Sequence, residues 1–186
     1  MLIPLRLSDQ SDEQLMKRAA RGSDRAFEEL YNRHARRLQG FFVRRLGNDA
    51  ELAADFMHDT FLRLYAARET YREGRNFRAW LFTIAYNLCR NHHRNQLTII
   101  SDEGIDITDD ANFEVDLEMK DLHDALREVL RKLPEPYAML FSLHYEEELT
   151  VPQIAHIVDL PEGTVKSRLH KTMNIIKQNL KQYEHH

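Results

Sequence analysis

The sequence predicts an all-α protein of two small helical domains joined by an acidic flexible linker, the second domain containing a helix-turn-helix. Three observations carry this prediction. Apolar residues recur at the 3.6-residue period over long stretches, with no convincing two-residue alternation, and only six glycines and five prolines interrupt 186 residues. Residues 96–125 hold ten acidic side chains against one basic, Lys120, with few large apolar residues among them. Finally, Thr150–Lys177 reads TVPQIAHIVDLPEGTVKSRLHKTMNIIK, a short apolar-faced run, a tight turn and a second amphipathic run.

The first domain is expected over residues 1–95. Ser11 or Asp12 suits an N-cap, and Leu15, Ala19, Phe27, Leu30, Tyr31 and Leu38 follow at helical spacing. Gly22-Ser23-Asp24 and Gly47-Asn48-Asp49 break the run. Helices are predicted from about Ala50 to Arg68 and from Phe77 to Arg94, with a loop between them. On the first of these, Leu52, Ala53, Phe56, Thr60, Phe61 and Leu64 take one side and Asp55, His58, Asp59 and Leu62 the other. On the second, Trp80, Leu81, Ile84, Ala85 and Leu88 form the packed side, and Thr83, Tyr86, Asn87, Arg90 and Arg94 share another arc. Residues 96–118 cannot bury enough apolar surface to offset the entropy of ordering, and read as a linker. In the second domain, 119–186, helices are predicted over Leu122–Leu133 and Tyr137–Tyr145, ahead of the helix-turn-helix. Its first helix carries Ile154, Ala155 and Val158 on one side, and the second opens at Thr164. There Val165, Leu169, Met173, Ile176 and Leu180 cluster inward, while Lys166, Ser167, His170, Lys171, Asn174 and Lys177 face out.

A net charge of −4 hides a partition that bears on binding partners. Residues 1–95 carry 17 basic and 12 acidic side chains, 126–186 carry eight of each, and 160–182 carry five basic against Glu162 alone. DNA responds to a local basic face through counterion release, not to the total. In the second helix of a helix-turn-helix, lysine suits phosphate or guanine and serine suits base edges. A solvated amphipathic surface helix would show the same pattern. The Tyr86 arc, with Tyr71, Arg72 and Arg75 of the preceding loop, combines aromatic rings, cations and an amide, which suits unpaired bases. Gly74 gives that loop freedom to fold around an extruded base. The Asp55 stripe would repel DNA but suits a basic protein surface, with Leu62 as an apolar contact. An ordinary solvated face explains either arc equally well.

An enzyme is a poor fit. His58-Asp59 occurs in helical metal-dependent phosphohydrolases, but His34, His92, His93, His123, His144, His156 and His170 show no converging ligand spacing. No phosphate-binding glycine loop or nucleophile elbow is present. Neither a metal nor a cofactor is expected. Cys89 stands alone, which excludes an internal disulfide and fits a reducing cytosol. Met1–Arg6 is too short and interrupted for a signal peptide, and no apolar run approaches membrane-spanning length, so a cytoplasmic location without membrane insertion is expected.

Three strings in this order resemble the extracytoplasmic-function group of bacterial RNA polymerase sigma factors, over nearly the whole chain. Asp55–Tyr65 (DFMHDTFLRLY) is similar to the helix that docks on the polymerase clamp, and Phe77–Asn87 (FRAWLFTIAYN) to the element that melts the promoter −10 region. Leu160–Leu169 (LPEGTVKSRL) is similar to the −35 reader and is the most specific of the three; Ala26–Tyr31 is similar to the opening helices. The resemblance implies an initiation factor that binds core RNA polymerase and promoter DNA and is held inactive by an anti-sigma protein. It assigns Asp55, His58, Asp59 and Leu62 to polymerase. Tyr71, Arg72, Arg75, Tyr86, Asn87, Arg90 and Arg94 fall to the −10 element. Thr164, Lys166, Ser167, His170 and Lys171 would read the −35 groove, with Arg168 on phosphate. The acidic 102–124 stretch would pass through the channel that RNA later occupies. Two positions depart from the family pattern: His58 stands where many relatives carry glutamine, and His170 where a bulkier or more basic residue is common. A stand-alone helix-turn-helix regulator is the alternative, motivated by the C-terminal half alone.

Overall fold

The structure, a computed structural model, describes residues 6–72, 74–96 and 122–181. They fall into two units, one within Met1–Thr98 and one within Ile99–His186. The expected linker lies outside the described residues, apart from Gln96 at the end of a helix.

The first unit opens with a 3-10 turn, Leu7–Asp9, followed by α1 (Asp12–Ala20), α2 (Asp24–Arg45), α3 (Ala50–Ala66), a second 3-10 turn (Arg68–Thr70) and α4 (Phe77–Gln96). The starts are fixed by side chains that satisfy orphan amides. Ser11 and Gln14 form a capping box on α1, Ser23 accepts from Ala26 N–H at the head of α2, and Asp49 accepts from Leu52 N–H at the head of α3. The two predicted breaks fall between helices, and Gly22, Gly47 and Asn48 turn the chain there with positive φ. The helices close a ring of contacts, α1 on α2, α2 on α3, α3 on α4 and α4 on α1. Phe41 of α2 reaches across that ring to Phe82 of α4, edge to face at 5.3 Å, and also meets Phe42 at 5.5 Å.

Because α4 packs against three helices, its buried arc is wider than the sequence pattern gives. Phe77, Phe82 and Cys89 join Trp80, Leu81, Ala85 and Leu88 in the core, and Ile84 is only half-buried. On α3, Met57 is buried, whereas Leu52 and Phe56 stay partly exposed near the edge of the contact.

The second unit contains α5 (Leu122–Lys132), α6 (Glu135–Phe141), a π-helical turn (Ser142–Glu146), α7 (Val151–Val158) and α8 (Glu162–Leu180). Two helices start two residues earlier than expected, at Glu135 and Glu162. Each follows a proline N-cap with extended ψ, and Pro136 is tolerated in the first turn of α6 because no intrahelical partner awaits its missing N–H. The continuous helix predicted to Tyr145 widens instead at Ser142. α8 is the hub, touching α5, α6 and α7. Ala125 and Val129 of α5 meet Ile176 of α8, with Leu126, Met173 and Leu180 packed around them.

The buried arc of α8 is rotated from the expected one. Thr172, Ile175 and Asn179 are sealed alongside Val165, Leu169 and Ile176, while Met173 and Leu180 are half-buried. Thr172 Oγ1 donates to the Arg168 carbonyl and Asn179 Nδ2 to the Ile175 carbonyl, each at 2.8 Å. Satisfied by the preceding turn, these polar side chains can enter the core. On α7, Ile157 is buried and Ala155 only half so, because α7 tilts its 154/157/158 edge inward.

Two non-glycine residues bracket α7 in the left-handed region, Glu148 at φ +55° and Asp159 at φ +56°. Asp159 caps the helix there, a place where a short polar side chain is tolerated; Glu148 has no such excuse. Replacing Glu148 with glycine is expected to raise the unfolding free energy of the second unit by about 0.5–1 kcal/mol, the relieved strain exceeding the added chain entropy. Urea melts of the full chain check this.

Candidate nucleic-acid and partner interfaces

The α7–turn–α8 element places the expected −35 residues on the solvent side of its second helix. Lys166, Ser167 and His170 are exposed, and Thr164 and Lys171 half-exposed, while Val165 and Leu169 between them are buried. Lys166 Nζ lies 3.7 Å from Glu162 Oε2, one turn back. Arg168 points elsewhere. It is half-buried with its guanidinium 5.7 Å from the Tyr137 ring of α6, a cation–π contact that ties α8 to its own unit. His144 Nδ1 meets the Leu149 carbonyl at 2.9 Å and holds the chain entering α7.

On the first unit, α4 exposes Asn87, Arg90 and Arg94 and leaves Tyr86 half-buried beside them. In the loop ahead of α4, Arg72 is exposed and Gly74 adopts φ +85°. Tyr71 is not a free stacking platform. Its ring stacks on Trp80 at 5.4 Å and 28°, and its hydroxyl donates to the Arg75 carbonyl. Arg75 in turn sits 5.0 Å over the Trp80 ring. The loop is thus folded onto one buried indole, with Arg72 outside. Burial, then the nearby Glu13 and Asp12 carboxylates against the opposing pull of Arg75, push the Tyr71 phenol up to about 12.

The third surface lies on α3. Asp55 and His58 are exposed, and Leu62, 69% exposed, is the barest large apolar side chain among the described residues of this unit. Asp59 is held by Arg63 Nε at 3.1 Å. His58 Nε2 lies 3.2 Å from the Tyr31 hydroxyl, and the two rings are parallel within 11°. Tyr31 of α2 therefore belongs to this surface. Sequence reasoning gave it only a helical register, since a tyrosine on a different helix carries no signal of this neighbour. Glu13, Asn76 and Trp80 likewise support the α4 surface without standing on its outer arc. Among the described residues no group of His, Cys, Asp and Glu is placed to hold a metal ion, and no helix is long and apolar enough to cross a membrane.

Known proteins match this arrangement unit by unit. The Sigma-70 region 2 model matches residues 30–97 and the Sigma-70 region 4 model residues 123–174. The RNA polymerase sigma-H factor of Pseudomonas aeruginosa is 30% identical over 186 residues, covering 94% of this chain and 96% of that protein. This chain belongs to the extracytoplasmic-function sigma factors. The sigma factor CarQ of Myxococcus xanthus is 31% identical, over 91% of this chain and 97% of its own, and the factor SigW of Bacillus subtilis 26%, over 89% and 95%. Two solved structures share the fold: CnrH in complex with the cytosolic domain of CnrY (TM-score 0.67, 23% identity, 93% of this chain and 99% of that one), and RpoE with the anti-sigma factor NepR from Bartonella quintana (TM-score 0.62, 22% identity, 83% and 96%).

As a sigma factor, the chain binds core RNA polymerase and directs it to promoters through −10 and −35 elements. Matches to both regions, spanning both units, answer the alternative of a lone helix-turn-helix regulator.

The pinned phenol of Tyr71 gives a test of this loop geometry. A raised folded-state pKa favours the protonated fold, so its contribution is intact below the unfolded value near 10 and is lost as pH climbs through about 12. Urea stability is therefore expected to fall between pH 10 and 12 in the natural chain, and Tyr71→Phe to fall measurably less.

Proposed function

We propose that residues 1–95 form the polymerase-docking and −10 domain, 119–186 the −35 domain, and 96–118 an acidic tether between them. In this reading α8 enters the major groove of the −35 element, with Thr164, Lys166, Ser167, His170 and Lys171 toward the bases and Arg168 released to a phosphate or retained on Tyr137. Arg72, Tyr86, Asn87, Arg90 and Arg94 meet the −10 element, with Tyr71 and Arg75 forming the wall of the base-capturing loop. Asp55, His58, Asp59 and Leu62, joined by Tyr31, dock on the polymerase clamp. The observation that carries the assignment is the sorting of α8: a basic, hydroxyl-bearing arc in water beside a sealed apolar one, on the second helix of a helix-turn-helix.

The factor works without chemistry of its own, in the cytoplasm. An anti-sigma protein, such as the NepR bound to RpoE in the solved complex, is the expected restraint on the free chain. Footprinting the holoenzyme on genomic fragments tests the whole reading, because protection must appear at two promoter elements and depend on core polymerase.

Two substitutions separate the surfaces. Lys166→Ala should weaken −35 duplex binding and lower the salt slope by about one unit, read from binding isotherms at several salt concentrations. Reversing charge at Asp55 and Asp59 together, each to lysine, should abolish association with core polymerase while helix content by circular dichroism stays unchanged.

A further inference from the structure

We propose that Glu13, on α1, is a positioning residue for strand separation: it accepts the first amide of α4 and holds that helix, with the loop from Tyr71 to Asn76, in the pose that meets unpaired bases. The inference rests on the −10 assignment above. Glu13 lies outside the region 2 match, which begins at residue 30.

The geometry is specific. Phe77 is the first residue of α4, so its N–H has no partner inside the helix. Glu13 Oε1 accepts it at 3.3 Å from 64 residues away in sequence. Asn76 Oδ1 accepts the Ala79 N–H at 2.8 Å, so the two side chains satisfy two of the orphan amides at the start of the helix. A carboxylate at this end also favours the helix dipole. Its neighbour Asp12 is tied to α2 by His34 Nε2 at 2.7 Å and Arg33 Nη1 at 3.1 Å, and the His34 ring packs 5.2 Å from Phe77. Arg33 further donates to the Leu7, Ser8 and Gln10 carbonyls, locking the segment before α1 onto α2. Burial opposes the Asp12 charge, yet the hydrogen bonds and charges of His34 and Arg33 hold its carboxyl below the usual range.

These contacts make the first turn of α1 an anchor. Asp12 fixes that turn on α2, and Glu13 beside it holds the point where the loop becomes a helix. From that point the Tyr71–Trp80–Arg75 stack fixes the loop, and the α4 arc continues to Asn87 and Arg90. Loss of the Glu13 acceptor leaves Phe77 N–H unpaired in a buried place and frees the helix start to shift or fray. Bases are captured only while loop and helix hold their relative pose, so the defect should fall on promoter opening.

The test uses holoenzyme assembled from core polymerase and the full chain, on a promoter recovered by footprinting and carrying 2-aminopurine in the −10 non-template strand. Glu13→Ala should open about fivefold more slowly, with unchanged affinity for core and unchanged binding of −35 duplex. Trp80, the single tryptophan, should become more accessible to acrylamide in this variant. Glu13→Gln keeps an acceptor oxygen and should open at the natural rate. A natural rate in Glu13→Ala overturns the proposal, as does slowing without any change at Trp80, slowing in Glu13→Gln to the same degree, or loss of core affinity. Arg72→Ala and Asn87→Ala separate the two readings: if both open normally the −10 assignment itself fails, whereas if they slow and Glu13→Ala does not, only the positioning role fails.

Discussion

The contact of Phe41 with Phe82 spans the ring of four helices in the first unit and fixes what every other face can do. With Phe42, Phe77 and Leu81 also sealed, α2 and α4 have little rotational freedom about their own axes. A rotation of α4 by one residue, about 100°, would bury Arg90 and expose Phe82. The same logic governs α8, where Val165, Leu169, Ile175 and Ile176 are committed to three neighbouring helices. Each candidate binding surface is what remains of a helix after its core side has been fixed.

Electrostatics then decides which partner each remainder suits. A chain of net −4 binds DNA because its carboxylates are concentrated away from the basic faces, above all in residues 96–125. Where opposite charges do meet on the binding surfaces, the pairs are exposed: Lys166 with Glu162, and Arg63 with Asp59. Such pairs contribute little stability, so Lys166 can leave Glu162 at little cost. The Arg168–Tyr137 contact is different in kind, since it tethers a cation to the core of its own unit and limits its reach.

Helix order, the two turns in the first unit and the helix-turn-helix were legible in the sequence because each rests on local chemistry: Ser11 as a cap, Gly22-Ser23-Asp24 and Gly47-Asn48-Asp49 as breaks, Asp159 to Pro161 as the turn. The outward arcs of α3, α4 and α8 were legible because charged side chains sort by a simple period. Depth of burial was harder. Thr172 and Asn179 look like surface residues until their hydrogen bonds to preceding carbonyls are seen, and Phe77 and Phe82 belong to a core wider than one helical stripe. The tie between Glu13 and Phe77, and that between Tyr31 and His58, join residues distant in the chain. No spacing rule encodes such pairs, since they arise only when separate helices come together. Tyr71 illustrates the limit most plainly: its residue type suits base stacking, but its own neighbour Trp80 already occupies that face.

The recognisable portion of the first unit and its foldable portion do not share a boundary. Leu15, Met16 and Ala19 of α1 are all but inaccessible to water, and Ala26 and Phe27 also precede residue 30, where the region 2 match begins. Excising the chain ahead of that point would leave a trough along α2 and α4, lined by apolar atoms with nothing to fill it. The stretch that the region 2 match covers is therefore shorter than what the unit needs to stand by itself.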